Sequence, residues 1–287
     1  MLVTTTRSGR LGNRLQLAAY VMAAALECET TAALLCLGPY RRLFAGAYDD
    51  PLCRIPERQG SLAARVAVPL LRATAGWSGL PRLSARRYPG LVLDRPDVLD
   101  RLRAHPTALL DGYYFYAPSL LRAHAATIRG YFRLASPFAS PVAQLVARSR
   151  QRADRIVGIH VRHGDYASYL GGEHYFSIED YAGLMRELEA LLHPATTHFI
   201  VCSDAVQPDR VFAGMSWERG PGRVVEDLYA LAGCDYVMGP RSTFNRWSAF
   251  VGNVPRHEVR TLGRKLSLAD FTPPEDLTVP EPTPPAA

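Results

Sequence analysis

Lysine is almost missing from this chain. Lys265 is the single lysine among 33 basic residues, so nearly all of the positive charge behind the net +6 and the pI of about 9.2 is arginine. A bias that general is a coding signature before it is chemistry. No basic run longer than the pairs at 41–42 and 86–87 occurs. That argues against a nucleic-acid binder, whose footprint is a basic stripe; an anionic small molecule or an anionic membrane surface stays compatible. The cysteines Cys28, Cys36, Cys53, Cys202 and Cys234 are odd in number and form no CxxC pair. This excludes a disulfide framework and suggests no zinc site, and it predicts reduced, buried thiols in a cytoplasmic protein. Long apolar runs are missing too. LQLAAYVMAAAL (15–26) is too short to cross a bilayer, and MLVTTTRSGR lacks the apolar core of a secretory signal. The expected localisation is cytoplasmic, with peripheral contact at the inner face of a membrane left open.

What is present supports a large core. The chain has 287 residues, 48% of them hydrophobic and 21% charged, which suits two domains of roughly 130 residues. The C-terminal FTPPEDLTVPEPTPPAA (271–287) is proline-rich, acidic and aperiodic, the composition of a disordered tail. LVTTT (2–6) reads as a strand, RSGRLGN (7–13) as a glycine-containing turn, about 14–28 as an Ala/Leu-rich helix and TAALLCL (31–37) as a second strand. The region 40–90 has no firm reading; a helix PDVLDRLRAH and a strand TALLDGYYF (107–115) follow. From about residue 150 the alternation restarts: strands at DRIVGIHV, THFIVCSD (197–204) and DYVMG (235–239), helices at 177–193, 224–234 and 242–252. The expected fold class is α/β with two Rossmann-like lobes and the ligand cleft between them. Its expected parts are 1–145, 146–271 and a tail 272–287.

Ligands in open parallel sheets bind beyond the carboxyl ends of strands, and three predicted strand ends carry polar clusters: HVRHGD, CSDA and MGPRSTF. Ser242-Thr243 opens a helix after a strand, a place that suits a phosphate or pyrophosphate. Arg162 on a neighbouring strand end is the natural partner, because a guanidinium binds phosphate oxygens bidentately. A routine capped helix beside a solvated turn explains the same spacing. Gly9 and Gly12 permit a tight turn in GRLGN (9–13), which fits neither GxGxxG nor a Walker A loop. Arg-His-Gly at 162–164 also matches a phospho-histidine signature, with His163 as nucleophile.

Four segments in order, GRLGN, LLDGYYFYAPSLLRAHAATIRGYFRL (109–134), VGIHVRHGDY (157–166) and HFIVCSDA…VVEDLYALAGCDYVMGPRSTFNRWSAF (198–250), resemble the inverting fucosyltransferases that use GDP-fucose. The likeness is greatest to the α-1,2-fucosyltransferases of glycosyltransferase family 11. The resemblance implies a GT-B fold, a nucleotide-sugar donor bound by the second lobe, a glycan or glycolipid acceptor, and no metal or other cofactor. It implies that Arg162 holds the GDP phosphates, that His160 and Asp235 line the guanine pocket, and that Ser242 and Thr243 form the phosphate-binding helix start. Arg10 and Asn13 then face the donor phosphates from the first lobe, and Asp204 falls in the family's Ser-Asp segment. The chain departs from the family at His163 (usually Arg), Arg241 (usually Asn), Asn245-Arg246 (usually Ser-Trp) and Arg14 (usually Gln). Arg241 is expected to supply the charge lost at 163.

Metal-dependent transferases commonly hold a leaving diphosphate through a cation on Asp-x-Asp, a triplet that does not occur here. Activity in EDTA is therefore expected. Asp165 is the candidate general base nearest the Arg162 turn, with a structural role as partner of Arg162 as the alternative; Glu173 and Glu179 follow it. Trp247 and Tyr113 to Tyr116 read as core packing before they read as a sugar platform. The rival functions are a histidine phosphatase using His163 and a transferase-like sugar- or nucleotide-binding protein that has lost catalysis.

Overall fold

The computed structural model describes residues 1–4, 9–55 and 80–274. It divides into two compact units between Ala135 and Ser136. In the first unit the chain runs β1 (Leu2–Thr4), α1 (Leu11–Glu27), β2 (Ala32–Leu34), α2 (Gly46–Asp49), β3 (Cys53–Arg54), β4 (Arg82–Ala85), β5 (Leu91–Val92) and α3 (Pro96–Arg103). It continues as β6 (Ala108–Gly112), β7 (Phe115–Tyr116), α4 (Pro118–Ala123) and α5 (Ala125–Tyr131). β3-β2-β1-β6-β4 form one parallel sheet, and β5 pairs with β7 apart from it. The predicted helix starts earlier than expected: α1 begins at Leu11, so Gly12 and Asn13 belong to its first turn rather than to a loop. The strand expected at 31–37 stops at Leu34, because Leu35–Leu43 coil into a 3-10 segment. The strand expected at 107–115 stops at Gly112, where φ is +133° and a Cβ would lie 2.3 Å from the Ala85 backbone. Only glycine lets β4 and β6 close there.

The second unit comprises α6 (Ser136–Arg150), β8 (Arg155–Val161), α7 (Ile178–Leu192), β9 (Thr197–Ser203), β10 (Trp217–Arg219), α8 (Val224–Ala232), β11 (Tyr236–Pro240), α9 (Thr243–Gly252) and β12 (Arg256–Val259). Its five parallel strands lie in the order β10-β9-β8-β11-β12. Numbered along the chain, that is 3-2-1-4-5, the Rossmann order, whereas the main sheet of the first unit runs 3-2-1-5-4. One face of the sheet, through Val157, Ile159 and Val161, packs on Tyr181, Met185 and Leu188 of α7. The other, through Ile156 and Ile200, packs on Leu145 of α6 and Ala230 and Leu231 of α8. Because α6 is built into this core, the boundary falls ten residues before the expected 145. Ser177 opens α7 with a reciprocal bond pair: the Ser177 N–H donates to Asp180 Oδ2 (2.8 Å), and the Asp180 N–H donates to Ser177 Oγ (3.1 Å). Thr272, expected in a disordered tail, is held by backbone bonds to Arg256 at 2.8 and 3.0 Å. Residues 275–287 of that tail lie outside the described residues, as do Thr5 and Thr6 of the first predicted strand.

Candidate functional site

The order of the second sheet reverses between β8 and β11, the two strands that leave to opposite sides, and a crevice opens beyond their carboxyl ends at such a point. The chain leaves β8 as Arg162-His163-Gly164-Asp165, and it leaves β11 as Arg241-Ser242 into α9. With Met238 opposite Ile159 in a parallel pair, both exits lie on one edge. Topology therefore brings together two of the three clusters picked from the sequence.

Asp204, from the exit of β9, supplies the third. Its Oδ1 accepts the backbone N–H groups of His163 (2.8 Å) and Gly164 (3.1 Å), and Oδ2 lies 3.7 Å from Arg162 Nε. A Cβ on residue 164 would sit 2.8 Å from Asp204 Oδ2, so any larger residue would push this carboxylate aside. The Arg162 side chain is 14% exposed and donates through Nη2 (2.7 Å) and Nε (3.1 Å) to Asp165 Oδ1. Its guanidinium also lies over the Tyr166 ring, 5.0 Å from the centroid. The Tyr166 hydroxyl donates to the Arg241 carbonyl (2.8 Å), which ties one exit to the other. Across from this, Ser242 Oγ accepts the Phe244 N–H (3.1 Å) as the N-cap of the ten-residue α9. The start of such a helix carries N–H groups that the helix itself does not use and the positive end of its dipole. A guanidinium and a helix start on one sheet edge are chemically suited to a dianionic group.

His160 is buried on the α8 and α9 face, with its ring centroid 4.7 Å from that of Phe244. Burial, and after it the charge of Arg162, lowers its pKa to about 4, so it is a neutral imidazole at pH 7. The Asn245 side chain lies against this buried imidazole and offsets part of the shift.

His163 is not available as a nucleophile. Its Nε2 bonds the Phe176 carbonyl (2.8 Å), its Nδ1 meets the amide nitrogen of the buried Gln207 (3.2 Å), and Tyr175 packs on its ring at 4.8 Å. A carbonyl accepts and an amide NH2 donates, which assigns the proton to Nε2 and leaves both nitrogens engaged. The phospho-histidine reading needs a free, in-line nitrogen and is corrected on this ground. The departures at 245–246 have structural work of their own. Asn245 Nδ2 donates to the Pro240 carbonyl (2.6 Å) and closes the β11 exit. Arg246, 2% exposed, pairs with Glu258 of β12 through contacts of 2.9 and 3.1 Å. Burial would raise the Glu258 carboxyl, but Arg246, Arg256 and Arg260 outweigh it and hold it below the usual range.

Asp235 does not join the site. It precedes β11 and therefore lies at the amino edge, where its carboxylate accepts the Ile156 N–H (2.8 Å) and pairs with Arg150 (3.1 Å). Asp227, which the sequence reading passed over, stands at the opposite edge on the first turn of α8. It is 8% exposed, its Oδ1 accepts the Gly222 N–H (2.8 Å), and burial raises its pKa to about 6 despite that bond. Strand polarity was the signal: in a parallel sheet an acid just before a strand lies away from the ligand edge, and an acid opening a helix after a strand lies on it.

In the first unit, Arg10 is exposed at the N-cap of α1, and the Asn13 side chain lies where a Cβ on Gly9 (φ +82°) would come within 2.6 Å. Arg14 bonds the carbonyls of Gly9 (2.9 Å) and Cys36 (3.3 Å), fastening this turn to the chain beyond β2. Trp247 is fully buried, whereas Tyr113 and Tyr114 are half-buried. Among the described residues no cluster of His, Cys, Asp or Glu has the form of a metal site, the described cysteines are unpaired, and no helix is long and apolar enough to cross a membrane.

No family model matches the chain. Two curated proteins of Oryctolagus cuniculus are similar to it. Galactoside alpha-(1,2)-fucosyltransferase 1 is 28% identical over 142 residues, 45% of this chain, and galactoside alpha-(1,2)-fucosyltransferase 2 is 29% identical over 135 residues, 43% of it. The match spans 35% of the length of either relative. Among solved structures, a FUT1 variant of Arabidopsis thaliana in complex with GDP has a TM-score of 0.57 at 14% identity, covering 95% of this chain and 73% of that one. POFUT1 in complex with GDP-fucose has a TM-score of 0.59 at 14% identity, covering 90% and 96%. NodZ alpha-1,6-fucosyltransferase soaked with GDP-fucose has a TM-score of 0.55 at 18% identity, covering 94% and 96%. These structures share the fold, and the GT-B class expected from the sequence is borne out. The resemblance to α-1,2-fucosyltransferases, first carried by four short segments, is borne out by the curated relatives.

Proposed function

We propose that this chain, similar to the α-1,2-fucosyltransferases and sharing the GT-B fold of GDP-fucose-binding enzymes, is an inverting glycosyltransferase. It transfers L-fucose from GDP-fucose to a hydroxyl of a glycan, taken here as a terminal β-galactoside. The observation that carries this reading is Arg162 beside the start of α9 at the switch point of the second sheet. In the proposed step the acceptor oxygen bonds to the anomeric carbon of fucose from one side. The bond from that carbon to the β-phosphate breaks on the other, GDP takes the electron pair, and the acceptor proton passes to a base. Negative charge gathers on the diphosphate, where the Arg162 guanidinium and the Ser242–Thr243 helix start stabilise it. Preorganised contacts of this kind are worth roughly 3–4 kcal/mol each.

Asp165 and Asp204 both face Arg162, and we assign them to holding the guanidinium in register. Asp165 spends an oxygen on Arg162, which favours positioning over proton abstraction. The base of the nucleotide is assigned to the face bearing His160, Phe244 and Asp227. An ionised Asp227 accepts N–H donors such as those of guanine, a function that Asp235 at the far edge does not serve. Arg10 and Asn13 are retained as donor ligands of the first unit, and Arg241 as a supplementary charge. A diphosphate held by guanidinium and helix dipole needs no divalent cation.

Isothermal titration with GDP tests the reading. The unaltered protein is expected to bind GDP. Arg162→Ala should weaken binding at least a hundredfold, and Arg162→Lys should not restore it, because an ammonium lacks the planar fork. Equal affinity in all three proteins overturns the assignment.

A further inference from the structure

The proposed function leaves unused a set of exposed apolar side chains on one edge of the second unit. Tyr169 (52% exposed) and Tyr175 (41%) lie in the segment after β8, Val206 (94%) follows β9, and Val224 (64%) opens α8 after β10. Each of these connections leaves the carboxyl edge of the sheet, where the Arg162 turn lies. An aromatic ring held open to solvent beside a polar site is a usual element of a binding surface.

The two tyrosines are also braced. Tyr169 stacks on Tyr166 with centroids 5.6 Å apart and rings inclined by only 22°, and Tyr166 in turn lies on the Arg162 guanidinium at 5.0 Å. Tyr166 is fixed at its far end by the bond from its hydroxyl to the Arg241 carbonyl. Tyr175 packs on His163, whose nitrogens are both engaged. Each residue of the Arg162-His163 turn thus supports a tyrosine, and one face of Tyr169 is left toward solvent. A rigid ring presented in this way loses little entropy on binding.

We propose that the Tyr166–Tyr169 stack is the acceptor subsite, with the outer face of Tyr169 receiving the apolar face of a β-galactoside ring. This inference rests on the proposed transferase function. Galactose suits such a platform because its axial O4 leaves the C3, C4 and C5 hydrogens together on one face, which lies flat on an aromatic ring while the hydroxyls stay in water. Tyr166 contacts both the Arg162 guanidinium and the Tyr169 ring, so a sugar on Tyr169 lies one ring away from the residue that meets the group assigned to the leaving diphosphate. His163 supports Tyr175 while both its ring nitrogens are engaged by Phe176 and Gln207.

The test uses the full chain with lactose as acceptor and compares the unaltered protein, Tyr169→Ala and Tyr169→Phe. Saturation-transfer difference NMR in the presence of GDP reads lactose binding, transfer kinetics read both KM values, and titration reads GDP affinity. Tyr169→Ala is expected to raise the Kd and KM for lactose roughly tenfold, the scale of one aromatic contact. The GDP affinity and the KM for GDP-fucose should stay within twofold. Tyr169→Phe, which keeps the ring face, should match the unaltered protein. Lactose affinity unchanged in Tyr169→Ala overturns the subsite. So does a loss in Tyr169→Phe as large as in Tyr169→Ala, which would assign the contact to the hydroxyl. A parallel loss of GDP affinity overturns it as well, because the stack would then merely hold Arg162. Failure of the unaltered protein to bind GDP refutes the transferase reading itself, whereas GDP binding without lactose binding refutes only the subsite.

Discussion

At the scale of single residues, what separates ligand groups from structural ones is the company each charge keeps. Arg162 is partly open and faces two acids, whereas Arg246 is shut in with Glu258 at 3% and 7% side-chain exposure. Removing one member of a buried pair leaves the other charge without compensation and typically costs about 3–5 kcal/mol. Glu258→Gln should therefore lower the unfolding free energy by about that much in urea denaturation, while the folded fraction keeps its GDP affinity; a loss below about 1 kcal/mol would show that the pair is dispensable. Asp227 gives a pH signature of the opposite sign to an ordinary acid. Its native pKa is raised from 3.8 to about 6, so the native state holds the proton more tightly than the unfolded chain. Its contribution to stability is present below pH 3.8 and is lost as pH rises through 6. That gap corresponds to roughly 3 kcal/mol. In Asp227→Asn, unfolding free energies measured from pH 4 to 7 should decline less than in the unaltered protein, by up to that amount. An identical slope in both proteins would refute the burial of the charge.

At the scale of elements, the helix α9 carries the site, and its sequence announces it. Ser242 after an apolar strand is a strong N-cap, and the strand that precedes it ends at the switch point. Ser242→Ala should cost about 1 kcal/mol of stability and, through the disordered first turn, weaken GDP binding severalfold; GDP affinity equal to that of the unaltered protein would separate the cap from the ligand. The capping box of α7 pairs Ser177 with Asp180, three residues on, and so acts within the first turn of the helix. β12, RHEV, was not legible, since its Arg, His and Glu mask an edge strand that is buried at Arg256 and Val259 and whose Glu258 is paired with Arg246 of α9 and not with water. β4, RLSA, was missed for a related reason. It alternates exposed and buried residues over only four positions, too few to stand out in an arginine-rich region.

At the scale of the whole molecule, the proposed transferase should work without a divalent cation. GDP-fucose turnover is expected to be equal in EDTA and in added Mg2+ or Mn2+, and a tenfold loss in EDTA would refute the arginine-and-helix account of leaving-group stabilisation. Bound GDP should also protect the fold, by about 2.7 kcal/mol at a hundredfold excess over Kd. By itself the sequence determined the alternation of strands and helices, the class of fold, the guanidinium at Arg162 and the helix start at Ser242. All of these follow from local periodicity and capping, which act within a few residues. Tertiary structure decided the strand order, and with it that the exits of β8, β9 and β11 meet, whereas the parallel direction of the strands puts Asp204 and Asp227 on the edge of Arg162 and Asp235 on the other. It also decided that His163 is a bonded support, that Arg246 belongs to the core, and that Tyr169 faces solvent on a braced stack. These outcomes depend on contacts between residues far apart in the chain, such as His163 with Gln207 and Arg246 with Glu258, and such pairings exist only after parallel strands have set which ends of the elements meet.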